Sequence, residues 1–246
     1  MIVEEEQNKH MCVDLPTMLC DDVICPKIDP SLPNKSFVML IVGDKGSGKT
    51  SLTTSLLTSK KKGSKAYRGK FEDIMLSMPK SSLRSIKGDP FGGLSEGNVF
   101  DEFDEEFLNA VVEKAEENSE EGFRTLILID DASASLKSNK AVIDKLTKLV
   151  HRHRHLGVSV ILLIQSLVSC PLSVRKNVDS LVYFKPSNEK SNTIFKDEYL
   201  GDFSREEARM LFNYVFLQKG DFLMLKIEPP TIKYYRKFNR LNISRD

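Results

Sequence analysis

The chain has 246 residues, with 36 lysines and arginines against 35 aspartates and glutamates and a formal net charge of +1. Hydrophobic residues make up 40% and charged residues 29%. This excludes a disordered chain and a uniformly basic one such as a histone, but not local basic patches whose charge an average conceals.

Residues 1–35 carry Pro16, Pro26, Pro30 and Pro33 and hold no helical or strand period, so they read as an irregular arm. The opening MIVEEEQNKH is acidic and polar, unlike a secretory signal. Cys12, Cys20 and Cys25 lie near His10 but lack the paired spacing of a zinc knuckle, and with Cys170 they are too few for a disulfide scaffold. A soluble chain with reduced thiols is expected. No apolar run reaches the ~18 residues that cross a bilayer.

From Ser36 the pattern changes. SFVMLIV (36–42) predicts a buried strand that ends in a glycine-rich loop, and SLTTSLLTS (51–59) predicts a helix. FEDIMLSM (71–78) is a second strand. Residues 101–117 form an acidic helix with Phe103, Phe107, Leu108, Val111 and Val112 near one face. TLILID (125–130) is an apolar strand ending in acid. A helix over 139–155 closes in basic residues, which suits its dipole. VSVILLI (158–164) and SLVYF (180–184) are further strands. SREEARMLFNYVF (204–216) is a helix capped by Ser204 with Glu207 three residues on, and FLMLKI (222–227) is a late strand. Alternating apolar strands and helices imply an α/β fold in three layers around a mainly parallel sheet. One P-loop domain over 36–246 is expected, with 186–246 as a small C-terminal extension or lid.

Gly43-Asp44-Lys45-Gly46-Ser47-Gly48-Lys49-Thr50, running on into Ser51, fits GxxxxGK[ST] between a strand and a helix. Such a loop turns successive N–H groups toward phosphate oxygens, and the helix N-terminus adds its dipole. Lys49 reaches the β- and γ-phosphates of ATP, and Thr50 offers its hydroxyl to Mg2+. About eighty residues on, Leu126 to Ile129 run into Asp130 and Asp131, a Walker B pattern. Asp130 can hold Mg2+ through water, and Asp131 can polarise the attacking water. Gln165 closes an apolar strand, where its amide can meet both γ-phosphate and water. Arg152, Arg154 and Arg175 carry the permanent planar charge that a neighbouring subunit's arginine needs. His151, His153 and His155 alternate at i, i+2, which spreads them around a helix instead of on one side.

The charge is segregated. Residues 58–70 hold six basic side chains and no acid, 96–121 is strongly acidic, and 145–154 and 233–245 are basic, the last with Tyr234, Tyr235 and Phe238 interleaved. Basic loops with aromatics suit a phosphate backbone.

GDKGSGKTSL, LILIDD, HRHRHLGVSVILLIQSL, PLSVRKNVDSLVYF and the later YYRKFNRL together resemble the genome-packaging ATPases of large eukaryotic DNA viruses, the poxvirus type, within the FtsK–HerA superfamily. The resemblance covers about residues 36–240. It implies an ASCE/RecA-like ATPase that translocates double-stranded DNA into a preformed capsid, working as a homo-oligomeric ring against capsid or portal-vertex proteins at assembly sites in the host cytoplasm and with the virion. Lys49 and Thr50 would bind nucleotide and Mg2+, Asp130 would be the Walker B carboxylate and Gln165 the sensor. Asp131 stands where the wider superfamily usually has glutamate as catalytic base. Arg154 or Arg175 would be the arginine finger.

The P-loop also fits other classes of protein. A GTPase switch needs an NKxD element; Asn139-Lys140-Ala141-Val142 has valine where aspartate must stand. A small-molecule kinase would close a lid over its phosphates. A non-catalytic assembly factor would bind ATP without turning it over.

Overall fold

The computed structural model describes Cys25 and residues 27–243. His10, Cys12, Cys20, most of the N-terminal arm and residues 244–246 lie outside the described residues. Each apolar run read as a strand is one: β1 (Val38–Gly43), β2 (Asp73–Ser77), β4 (Thr125–Ile129), β5 (Val158–Ile164), β6 (Ser180–Phe184) and β7 (Leu223–Glu228). A two-residue β3 (Val99–Phe100) and the hairpin strands β8 (Thr231–Arg236) and β9 (Asn239–Arg240) were not foreseen.

The nine-stranded sheet runs in the order β3-β2-β4-β5-β1-β6-β7-β8-β9. β1 to β6 pair in parallel, and β7 to β9 continue the sheet antiparallel. β1 is buried on both faces. Val38, Leu40 and Val42 point into one core, Met39 and Ile41 into the other, as a period of two requires. The first core packs against α3 (Glu105–Glu120), α5 (Lys140–Arg152), α7 (Glu189–Tyr199) and α8 (Arg205–Val215). The second packs against α1 (Lys49–Thr58) and the short α2 (Lys80–Ser85). The three-layer α/β architecture follows.

The helices start where their caps place them. Asp104 accepts from Phe107 N–H at the head of α3, so that helix begins after the 101–104 stretch that the periodicity included. Asn139 caps α5 by accepting from Val142 N–H, and Ser204 with Glu207 closes a full capping box on α8. α5 stops at Arg152; residues 153–157 form a turn that Gly157 leaves with φ +60°. Two four-residue helices, α4 (Ser135–Ser138) and α6 (Leu172–Arg175), fill connections. Residues 186–243 form a wing of the same sheet: α7 and α8 share the face of α3 and α5, and β7 pairs directly with β6.

Candidate functional site

Three parallel strands deliver the motif residues to one edge. β1 ends at Gly43, β4 at Ile129 and β5 at Ile164, so the phosphate loop, Asp130 and Gln165 all emerge at the C-terminal edge of the sheet. That edge is where open α/β sheets bind ligands.

The loop is tightly made. A Cβ on Gly43 would lie 2.7 Å from both Phe184 Cβ and Ser47 Oγ, so only glycine fits between the loop and β6. Gly48 takes φ +109°, a conformation that L side chains avoid, immediately before α1. The Asp44 carboxylate accepts from Ser187 N–H at 2.8 Å, which ties the loop to the β6–α7 connection. Lys49 Nζ donates to the carbonyl oxygens of Gly43 (2.7 Å) and Asp44 (3.1 Å). Burial lowers its pKa, and the negative charges of Asp130, Asp131 and Asp44 oppose that shift. The Ser47 hydroxyl is buried without a hydrogen-bond partner. Lys45 and Ser51 are exposed at either end of the motif.

Thr50 Oγ1 donates to Asp130 Oδ2 at 3.1 Å, across 80 residues of sequence. Burial pushes the Asp130 carboxyl up, against the pull of Thr50 and Lys49. A hydroxyl and a carboxylate side by side are the hard oxygen donors that Mg2+ takes, usually with several waters. The orphaned Ser47 hydroxyl, the inward lysine and this oxygen pair therefore suit a nucleotide phosphate chain with its cation. Asp131 adopts φ +59°, and its carboxylate accepts from Gln165 Nε2 at 3.4 Å. The backbone excursion is one that aspartate tolerates better than most residues, and such outliers gather at functional sites. Both side chains are exposed, beside the buried Asp130.

Residues 101–211 match the family model described as Poxvirus A32 protein. That match spans less than half of the chain and is a likeness to the family. The matched span begins after the phosphate loop and includes the Walker B strand, the RHRH turn, Gln165 and SVRKN, so it bears out the resemblance read from those residues. Among solved structures, the fold is similar to the genome-packaging NTPase B204 of Sulfolobus turreted icosahedral virus 2 in complex with ATP-gammaS: TM-score 0.59, 20% identity, covering 81% of this chain and 97% of that one. The DNA-packaging ATPase B204 of Sulfolobus turreted icosahedral virus gives TM-score 0.58 at 18% identity, with the same coverage. ATPases 2 and 3 of EssC from Geobacillus thermodenitrificans give 0.53 at 14% identity, covering 86% of this chain and 46% of that one. At such identities the structural likeness speaks for the fold. No curated protein sequence matches the chain significantly.

The two arginines singled out as finger candidates, Arg154 and Arg175, are both engaged. Arg154 lies at the N-terminal edge of the sheet, where it donates to Asp179 at 3.0 Å and remains 56% exposed. Arg175 is 11% exposed; it forms a fork with Glu198 and donates to the carbonyls of Leu167 and Cys170. The fork with Glu198 holds its pKa up. His153 and His155 fall in the turn after α5, and the described residues contain no group of three or more His, Cys, Asp or Glu that could hold a metal. Cys25 and Cys170 are free and buried. Asn139, the first letter of the NKxD comparison, serves as the α5 cap. No described helix is long and apolar enough to cross a membrane. Sequence reading missed Asp179, Glu198 and Ser187, whose partners lie from 23 to 143 residues away. No local signal marks them.

Proposed function

We propose that this chain hydrolyses ATP to translocate double-stranded DNA during packaging of a viral genome into a capsid. The observation that carries the reading is the Thr50–Asp130 hydrogen bond beside Lys49, which brings both Walker motifs to one point. Gly43 to Ser51 cradle the phosphates, and Lys49 carries positive charge to the β- and γ-phosphates. Thr50 and Asp130 would hold Mg2+, which neutralises charge on the transferring phosphoryl group when bound. Asp131 takes the proton of the attacking water, and Gln165 orients that water while keeping Asp131 in place. DNA-packaging ATPases of this fold support the reading.

A single subunit cannot hold a duplex and advance along it, so the working form is a homo-oligomeric ring docked on capsid or portal-vertex proteins at assembly sites in the host cytoplasm. A neighbour's arginine then meets the γ-phosphate. Arg154, more than half exposed, suits that role better than the enclosed Arg175. The test is ATP hydrolysis with and without duplex DNA. Wild type should turn over ATP, faster with DNA, and Lys49→Ala should lose on the order of 10²–10³-fold or more. Turnover equal in wild type and Lys49→Ala would sink the assignment.

A further inference from the structure

Three basic segments stand out in the sequence, and the structure treats them differently. In 145–154, Lys145 pairs with Glu105, Arg152 with Glu116 and Arg154 with Asp179. In 233–243, Lys233 pairs with Glu228, and Arg236 and Lys237 with Asp221. In 58–70, no lysine or arginine makes an ion pair with a described carboxylate.

Five cations of this segment, Lys60, Lys61, Lys65, Arg68 and Lys70, line one groove together with Lys27. No acid lines it. Asp29 feels the charge of Lys65 but turns its carboxylate to the hydroxyl and N–H of Ser31. Lysines without counter-ions repel one another, so a folded chain gathers six cations along one groove at a cost in stability. The groove is also held in shape. Tyr67, in the middle of the polar loop, is 1% exposed; its hydroxyl donates to Pro33 O (2.8 Å), its N–H to Leu56 O (2.9 Å), and its ring stacks on Phe37 at 5.2 Å. A loop ordered beforehand loses less entropy when it binds.

The position is informative. α1 starts at Lys49 on the ATP-binding edge and runs ten residues, about 15 Å, to Thr58, where the loop begins. The loop ends at the start of β2, on the opposite edge of the sheet.

We propose that this groove grips the phosphate backbone of duplex DNA at the N-terminal edge of the sheet, with α1 as the direct covalent link to the phosphate loop. The proposal rests on the packaging reading. Five of the six cations are lysines, point charges that hold phosphate without the bidentate geometry of base recognition, and a translocase must hold every sequence alike. None of the exposed large hydrophobic residues lies in the groove, which disfavours insertion into a lipid surface.

The experiment uses the full chain and a short duplex, followed by fluorescence anisotropy across a salt series. The variant is Lys60→Ala, Lys61→Ala, Lys65→Ala, Arg68→Ala; all four residues are exposed. Affinity should fall about tenfold or more near ~0.1 M salt, and the log–log salt slope should become shallower by up to about 3.6, since each of the four backbone contacts contributes ~0.9. Basal ATP hydrolysis should be unchanged. The pair Lys60→Gln, Lys61→Gln should give about half the change in slope. Unchanged affinity and slope overturn the groove and leave the ATPase reading standing. Weakened binding in a protein that never hydrolyses ATP supports the groove and sinks that reading. Loss of binding to anionic vesicles, with DNA binding intact, overturns the groove in favour of a membrane.

Discussion

At the C-terminal edge of the sheet, Lys49 and Asp130 are drawn inward and each has its charged form opposed by burial. At the N-terminal edge, Asp179 is just as long-range in its contacts but fully answered. It accepts from Val38 N–H at 2.8 Å and from Arg154, and His153 Nε2 lies 3.5 Å away. Burial alone would raise its carboxyl; His153, the Val38 N–H and Arg154 together hold it below the usual carboxylate range. One edge keeps charges in tension and the other settles them. A site that must respond to an arriving phosphate has the first character, and a strut that locks β1 to β6 has the second.

The largest expected break in this contrast is Asp130→Asn. The side chain keeps its shape and its contact with Thr50 but loses its charge. ATP hydrolysis should drop by on the order of 10²-fold or more, in line with removal of an electrostatic group from a reacting centre. Because the buried carboxylate is a liability to the fold, the melting temperature should stay level or rise. Steady-state kinetics beside thermal melts would read both. A variant that loses stability while keeping full turnover would show that Asp130 is a structural residue.

Asp179→Ala should do the reverse. It leaves the Val38 N–H and the Arg154 guanidinium without their acceptor, which costs about 2 kcal/mol. For a chain of this size that is a fall of roughly 4–8 °C in melting temperature. Basal ATP hydrolysis at a permissive temperature should persist. The pH dependence follows from the depressed pKa. Wild type keeps this contribution above the unfolded carboxylate value of about 4 and loses it as pH falls further, toward the folded value. The difference in stability between wild type and Asp179→Ala should therefore shrink in acid. A difference that stayed constant through that window would separate the strut from its charge.

The two edges were not equally legible in the sequence. Phosphate loop, Asp130 and Gln165 were readable because each sits at the end of an apolar strand, and parallel strands bring their ends together without further instruction. The strut was unreadable because Val38 and Asp179 are 141 residues apart and nothing in either neighbourhood names the other. Helix α7 was missed for want of apolar signal: of its eleven residues only Ile194, Phe195 and Tyr199 mark a buried face. In the sequence, the basic and aromatic residues of the β8–β9 hairpin suit a phosphate backbone and equally a solvated surface. Tyr235 is in fact buried in the core, while Tyr234 donates its hydroxyl to Tyr199 O. Charge on a sequence says which side chains are cationic. Only the fold says which of them have already been neutralised.

Lys233 puts that last distinction to its smallest and sharpest test. It shares the N-terminal edge with the cationic groove, since its register partner Lys226 is itself paired with Ser180 at the start of β6. Unlike the groove lysines, it is matched with Glu228. Lys226 also reaches Glu228 at 3.0 Å, so the carboxylate would keep one partner if Lys233 were removed. Lys233→Ala should therefore change stability by no more than about 0.5 kcal/mol. It should also leave the salt slope of DNA binding unchanged, because a cation already neutralised by the protein has no bound counter-ion to exchange with a phosphate. A slope shallower by about 1 in this variant would mean that DNA competes successfully for paired lysines as well. The DNA-binding surface would then extend along the whole edge, from the loop after α1 to the hairpin of β7 and β8.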